Sequence, residues 1–139
     1  MIYEHEYMRV EFDWLASDQD DFVAYISSAG AGPLPKAAIE AAPLLEDVLD
    51  RIRGLTRTGK AIPTAGVLNP RDWLDVAERG FFAYDWSSTS KRYELIAEPS
   101  RPLHLHGIPK AELRLLAARI RLPIRLSGAP YIPADLDID

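Results

Sequence analysis

Two aromatic and aliphatic runs, Phe81 to Trp86 and Tyr93 to Glu98, flank the polar stretch Ser87-Ser88-Thr89-Ser90-Lys91-Arg92. Such a pair of runs around a short polar link specifies a β-hairpin. A second pair, Phe12 to Ala16 and Phe22 to Ser28, encloses Ser17-Asp18-Gln19-Asp20-Asp21. Asp and Ser side chains bond their own backbone there and tolerate turn geometry, so the cluster ends one strand and starts the next. Two hairpins separated by helical segments, rather than a βαβ alternation, argue for an antiparallel or mixed sheet. The order ββ, α, α, ββ, α therefore predicts an α+β fold, an antiparallel or mixed sheet built from two hairpins with helices packed on one face.

Between the hairpins, Ala29 to Pro35 holds two glycines and two prolines and reads as a loop. From Lys36 to Arg53 the residues Ala38, Ala41, Ala42, Leu45, Val48, Leu49 and Ile52 recur at helical spacing, with a break expected near Ala41 to Pro43 and a stop at Gly54. Leu55 to Leu68 reads as irregular. Asn69-Pro70 is read as N-cap and first residue of a helix reaching about Arg79, which Gly80 ends. His104 and Leu105 suggest a short extended segment, and Pro109 to Arg121 a helix with Leu113, Leu116, Ala117 and Ile120 on one face. In the run from Phe81, alternation puts Phe82, Tyr84 and Trp86 on one side as an aromatic core face under a helix. The length of 139 residues suits one domain, with residues 1–11 and 126–139 at its periphery.

The chain has no cysteine, which excludes disulfides, thiolate metal sites and a thiol nucleophile and fits a reducing compartment. The N-terminus carries acids where a signal peptide needs a basic start and an apolar core, and no window approaches the ~18 apolar residues of a membrane span. A cytoplasmic location without a membrane partner is expected. The net charge of −5 is uneven: residues 1–22 sum to −6, Asp135, Asp137 and Asp139 to −3, and residues 23–134 to +4. Basic residues scattered through an acidic chain speak against nucleic acid as a ligand. Acidic ends favour a basic protein partner, and we expect the contacts at Asp18, Asp20 and Asp21 and at Asp135, Asp137 and Asp139.

Motifs for chemistry are incomplete. Gly54 to Lys60 matches GxxxxGK, but Ala61 replaces the hydroxyl that holds Mg²⁺ and no strand leads into the loop. His104 and His106 would share one face of a strand and could chelate a metal, yet His5 is the only further imidazole, so no metal is expected. Ser27 or Ser28 with His104 and Asp18 supplies the residue types of a hydrolase triad without the GxSxG elbow, and no catalytic residue or cofactor is assigned. The alternative to a binding protein is a small enzyme or ligand-binding domain using the Gly30 to Pro35 loop and His104 and His106.

The stretches Phe12 to Asp18, Val23 to Pro35, Arg79 to Trp86 and Tyr93 to Pro99 are similar to those of small bacterial proteins that resemble the immunity proteins of polymorphic, contact-dependent or type VI secreted toxin systems. The likeness covers about residues 12–99. It implies a non-enzymatic cytoplasmic protein of interbacterial competition that binds one cognate toxin domain and occludes its active site. It transfers no site residue.

Overall fold

The computed structural model describes residues 1–138. Strands β1 (Asp13–Ser17) and β2 (Val23–Ser27) form the first hairpin, β4 (Phe82–Ser87) and β5 (Arg92–Pro99) the second. Between them lie α1 (Lys36–Glu40), α2 (Ala42–Leu45), α3 (Val48–Arg53), β3 (Ala61–Pro63) and α4 (Arg71–Ala77). A 3₁₀ turn at Leu105–Gly107, α5 (Ala111–Arg119) and β6 (Tyr131–Pro133) complete the chain. The fold is α+β: the helices pack on a six-stranded mixed sheet of order β1-β2-β4-β5-β3, with β6 also on β5.

The two hairpins meet through a parallel pairing of β2 with β4, Ala24 to Ser27 facing Phe82 to Asp85. The long excursion through α1 to α4 makes this parallel contact possible, since it returns the chain to the side from which β2 started. β3 and β6 both lie on the edge of β5 opposite β4, β3 at Ala97 to Pro99 and β6 at Arg92 to Glu94. The sequence reading of Leu55 to Leu68 as irregular therefore misses β3. It is a three-residue strand held only by its partner, too short for a periodic signal.

Register puts Trp14, Ile26, Tyr84 and Trp86 on one side of the sheet. Tyr93 stands edge-on to both indoles, with ring centroids 5.9 Å from Trp14 and 5.1 Å from Trp86, and its hydroxyl donates to Pro33 O at 2.7 Å. Tyr84 donates to Ala129 O at 2.8 Å. Here the aromatic face expected under a helix is covered by the 29–35 loop and the C-terminal segment. Gly32 lies so close that an added Cβ would sit 2.5 Å from Tyr93 Oη.

The C-terminal segment, expected at the periphery, packs into the core with Ile132 and Ile138 buried. Asn69 does not cap α4: it adopts φ 52°, and Pro70, which has no side-chain cap bond to offer, stands at the N-cap. The 36–53 helix breaks twice, at Ala41 as expected and again at Asp47, whose φ of 56° is left-handed. His104 forms an antiparallel bridge with Phe22, but the residues after it turn into the 3₁₀ helix instead of extending. Arg79, 6% exposed, donates to the carbonyls of Arg53, Leu55 and Asp75, tying the end of α3 to the end of α4.

Candidate functional site

The turn between β1 and β2 shows what its acids do. Asp18 is fully buried; its Oδ1 accepts from the amides of Asp20 and Phe22, both at 2.9 Å, and its Oδ2 from that of Leu126 at 2.7 Å. It fastens the turn to the C-terminal segment and is no contact surface, which corrects its assignment to a partner. Asp20 faces Arg125 at 3.7 Å. Asp21, at φ 60°, receives Arg121 Nη2 on Oδ1 at 2.6 Å and turns Oδ2 toward His104 Nε2 and His106 Nε2, each 3.7 Å away. The hydrogen bond from Arg121 holds the Asp21 carboxyl below the usual carboxylate range. Two sequence candidates, the acidic turn and the histidine pair, thus form one cluster, joined by Leu105 N donating to Asp21 O at 2.6 Å. Sequence reasoning counted Asp21 as a free acid and missed it as a third donor beside the histidines. No local pattern links the two segments.

Asp135 and Asp137 are exposed, and Asp139 lies outside the described residues. A second group of acids lies elsewhere. A cleft of about 710 Å³ opens between the segment Tyr7 to Asp13 and the stretch Ala42 to Asp50. Tyr7, Val10, Phe12, Pro43, Val48 and Leu49 supply apolar walls, and Glu11, Asp13, Glu46, Asp47 and Asp50 bring five carboxylates without a lysine or arginine in the lining. The left-handed turn at Asp47 sets the Glu46-Asp47 corner against the cleft.

Comparison of the chain with protein-family models, curated proteins and solved structures returns no match.

Asp13 forms the inner end of the cleft. It accepts from Tyr25 Oη at 2.6 Å and Ser27 Oγ at 2.9 Å, and burial raises its pKa in spite of those bonds. Burial chiefly, with Glu11 and Asp13 nearby, pushes the carboxyl of Asp85 up to about 6. Ser27 is the register partner of both Asp13 and Asp85, so a row of polar side chains crosses three strands. The signal for it was present: Asp13 shares strand parity with the buried Leu15, which places an acid on a covered side.

The remaining candidates take other roles. Ser27 donates to Asp13, Ser28 Oγ accepts from Phe12 N, and Asp18 is bound to backbone, so no Ser/His/Asp triad assembles from them. In the GxxxxGK stretch the amides of Thr58 and Gly59 both donate to Glu78 O, which turns them away from any phosphate. The Gly30 to Pro35 loop is filled by Tyr93 and Trp86 at Gly32, and His5 Nε2 lies 3.1 Å from Gly32 O. Among the described residues no helix is long and apolar enough to cross a membrane.

Proposed function

We propose that this chain is a non-enzymatic immunity protein that binds a cognate bacterial toxin domain in the cytoplasm and neutralises it by occluding the toxin's active site. The observation that carries the reading is the acidic cleft of about 710 Å³, whose lining brings five carboxylates among apolar side chains and no lysine or arginine, Arg53 reaching Asp50 from outside it at 3.7 Å. Toxins that act on nucleic acid or nucleotides gather Lys and Arg around their own catalytic groups, because phosphate affinity comes from that charge. A lysine or arginine entering the cleft lays its methylene stem on Val10, Pro43 and Leu49 and brings its head to Glu11, Glu46 or Asp50. The same carboxylates repel a nucleic acid, so the competitor of the toxin's substrate is the protein itself. The contact surface moves from the β1–β2 turn, where Arg121 and Arg125 answer the acids, to the cleft.

The test joins growth and binding. The chain is co-expressed with the C-terminal domain of the protein encoded by the adjacent gene, and the complex is sought by size exclusion and titration calorimetry. Growth rescue with a stoichiometric complex is expected, and the charge-neutral variant E46Q/D47N/D50N should weaken it at least about tenfold, with a shallower salt dependence. A folded triple variant that binds within twofold of the parent, or no rescue and no complex, refutes the reading.

A further inference from the structure

The cluster at the opposite end of β1 carries chemistry that a protein-binding cleft does not use. Among the described residues, Asp21, His104 and His106 each offer one donor atom, and the three atoms lie within 4.8 Å of one another. Both histidine Nε2 atoms are 3.7 Å from the same carboxylate oxygen. At Zn–N and Zn–O lengths of ~2.0–2.2 Å, tetrahedral donors sit roughly 3.3 Å apart. Closure around an ion therefore asks for rotation of two side chains that are 52% and 72% exposed and no movement of the backbone.

We propose that Asp21, His104 and His106 form a binding site for a borderline divalent transition metal, Zn²⁺ or its analogues Co²⁺ and Ni²⁺. Three observations support it. First, the ligands are held by backbone rather than brought together by the side chains: Phe22 bridges His104, Leu105 N donates to Asp21 O, and the 3₁₀ turn sets the two imidazoles 5.3 Å apart on one side. Second, Arg121 and Ser17 form an outer layer, with Arg121 bonding Asp21 Oδ1 and Ser17 Oγ and leaving Oδ2 for the ion. Metal-bound carboxylates are commonly oriented in this way. Third, the local charge does not repel a cation, since Asp18, Asp20 and Asp21 outnumber Arg121 and Arg125.

Two imidazoles select a borderline metal over Mg²⁺ or Ca²⁺, which take oxygen ligands. The amide of His106 donates to His104 Nδ1 at 3.3 Å, so the neutral His104 ring carries its proton on Nε2. Binding shifts that proton to Nδ1 and gives up this long, exposed bond. Three protein ligands leave a fourth position for water or for a donor from a bound partner. The site shares no residue with the acidic cleft, so it stands whether or not the cleft binds a toxin.

The test uses the full chain with no affinity tag, titrated with ZnCl₂ by calorimetry and with Co²⁺ by its visible ligand-field absorption. One Zn²⁺ per chain and a Co²⁺ band are expected. H106Q should weaken binding by at least about tenfold, the loss that even an outer-layer change causes. His106 is exposed, so that variant should melt with the parent. H5Q, altered at the third imidazole, should bind as the parent does. Binding by H104Q/H106Q equal to the parent, or a parent that takes up no Zn²⁺ and develops no Co²⁺ band, overturns the proposal.

Discussion

Replacing Asp18 by alanine tests the claim that this residue builds the fold rather than contacting a partner. The side chain accepts three backbone amides, and the bond to the Leu126 N–H is buried. A hydrogen bond to a charged group contributes about 1.5–3 kcal/mol, and a buried donor left alone costs a similar amount. The amides of Asp20 and Phe22 are only part-buried and regain water, so they are counted at about 0.5–1 kcal/mol each. D18A should therefore lose about 3–5 kcal/mol, roughly a fifth or more of the ~5–15 kcal/mol that holds a typical domain together. At about 3–5 °C per kcal/mol for a chain of this size, Tm should fall by roughly 10–20 °C. D18N keeps one acceptor and should lose about half as much, and D20N, with only an exposed ion pair, less than about 0.5 kcal/mol. Calorimetric and urea unfolding of the three variants give the ranking. A D18A melt within about 3 °C of the parent would refute the reasoning.

Two further outcomes follow from burial. Asp85 titrates near 6 in the folded protein against an ordinary value near 3.8, so folding favours its protonated form. Its stabilising contribution is complete below pH 3.8 and disappears as pH rises through about 6. D85N should accordingly be more stable than the parent by about 1 kcal/mol at pH 7.5, after discounting for partial exposure, and lose that advantage at pH 4; equal urea midpoints at both pH values would count against it. Gly80 has φ 98°, and an added Cβ would lie 2.5 Å from Leu103 Cβ and 2.7 Å from Leu103 N. G80A combines left-handed strain with a clash against backbone and should lose about 2–4 kcal/mol in thermal unfolding, whereas G66A, which meets nothing within 4 Å, should lose only the strain.

Both hairpins were legible to within a residue or so because each strand and its turn signal are neighbours in sequence, and local chemistry sets them. The same holds for the loop at residues 29–35 and for the first break in the 36–53 helix, where Pro43 announces itself. The second break, at Asp47, was not legible, since an Asp on the polar face of a helical repeat carries no mark of a left-handed φ. That one residue matters for the site, as it turns Glu46 and Asp47 toward the cleft.

The acidic residues show the same division. Sequence alone established their number, their concentration in the first 22 residues and at the end, and the absence of thiol chemistry. Which of them are buried, paired or left at the surface was decided by contacts between distant segments: Leu126 takes Asp18 into the interior, Arg121 and Arg125 answer Asp21 and Asp20, and α2 and α3 form the far wall of the cleft that Asp13 and Glu11 line. Charge is a property of each side chain, whereas burial, pairing and ligand geometry belong to the arrangement of segments, and for Asp21 and His104 those segments are brought together by the Phe22 bridge and the Leu105 N–H bond to Asp21 O.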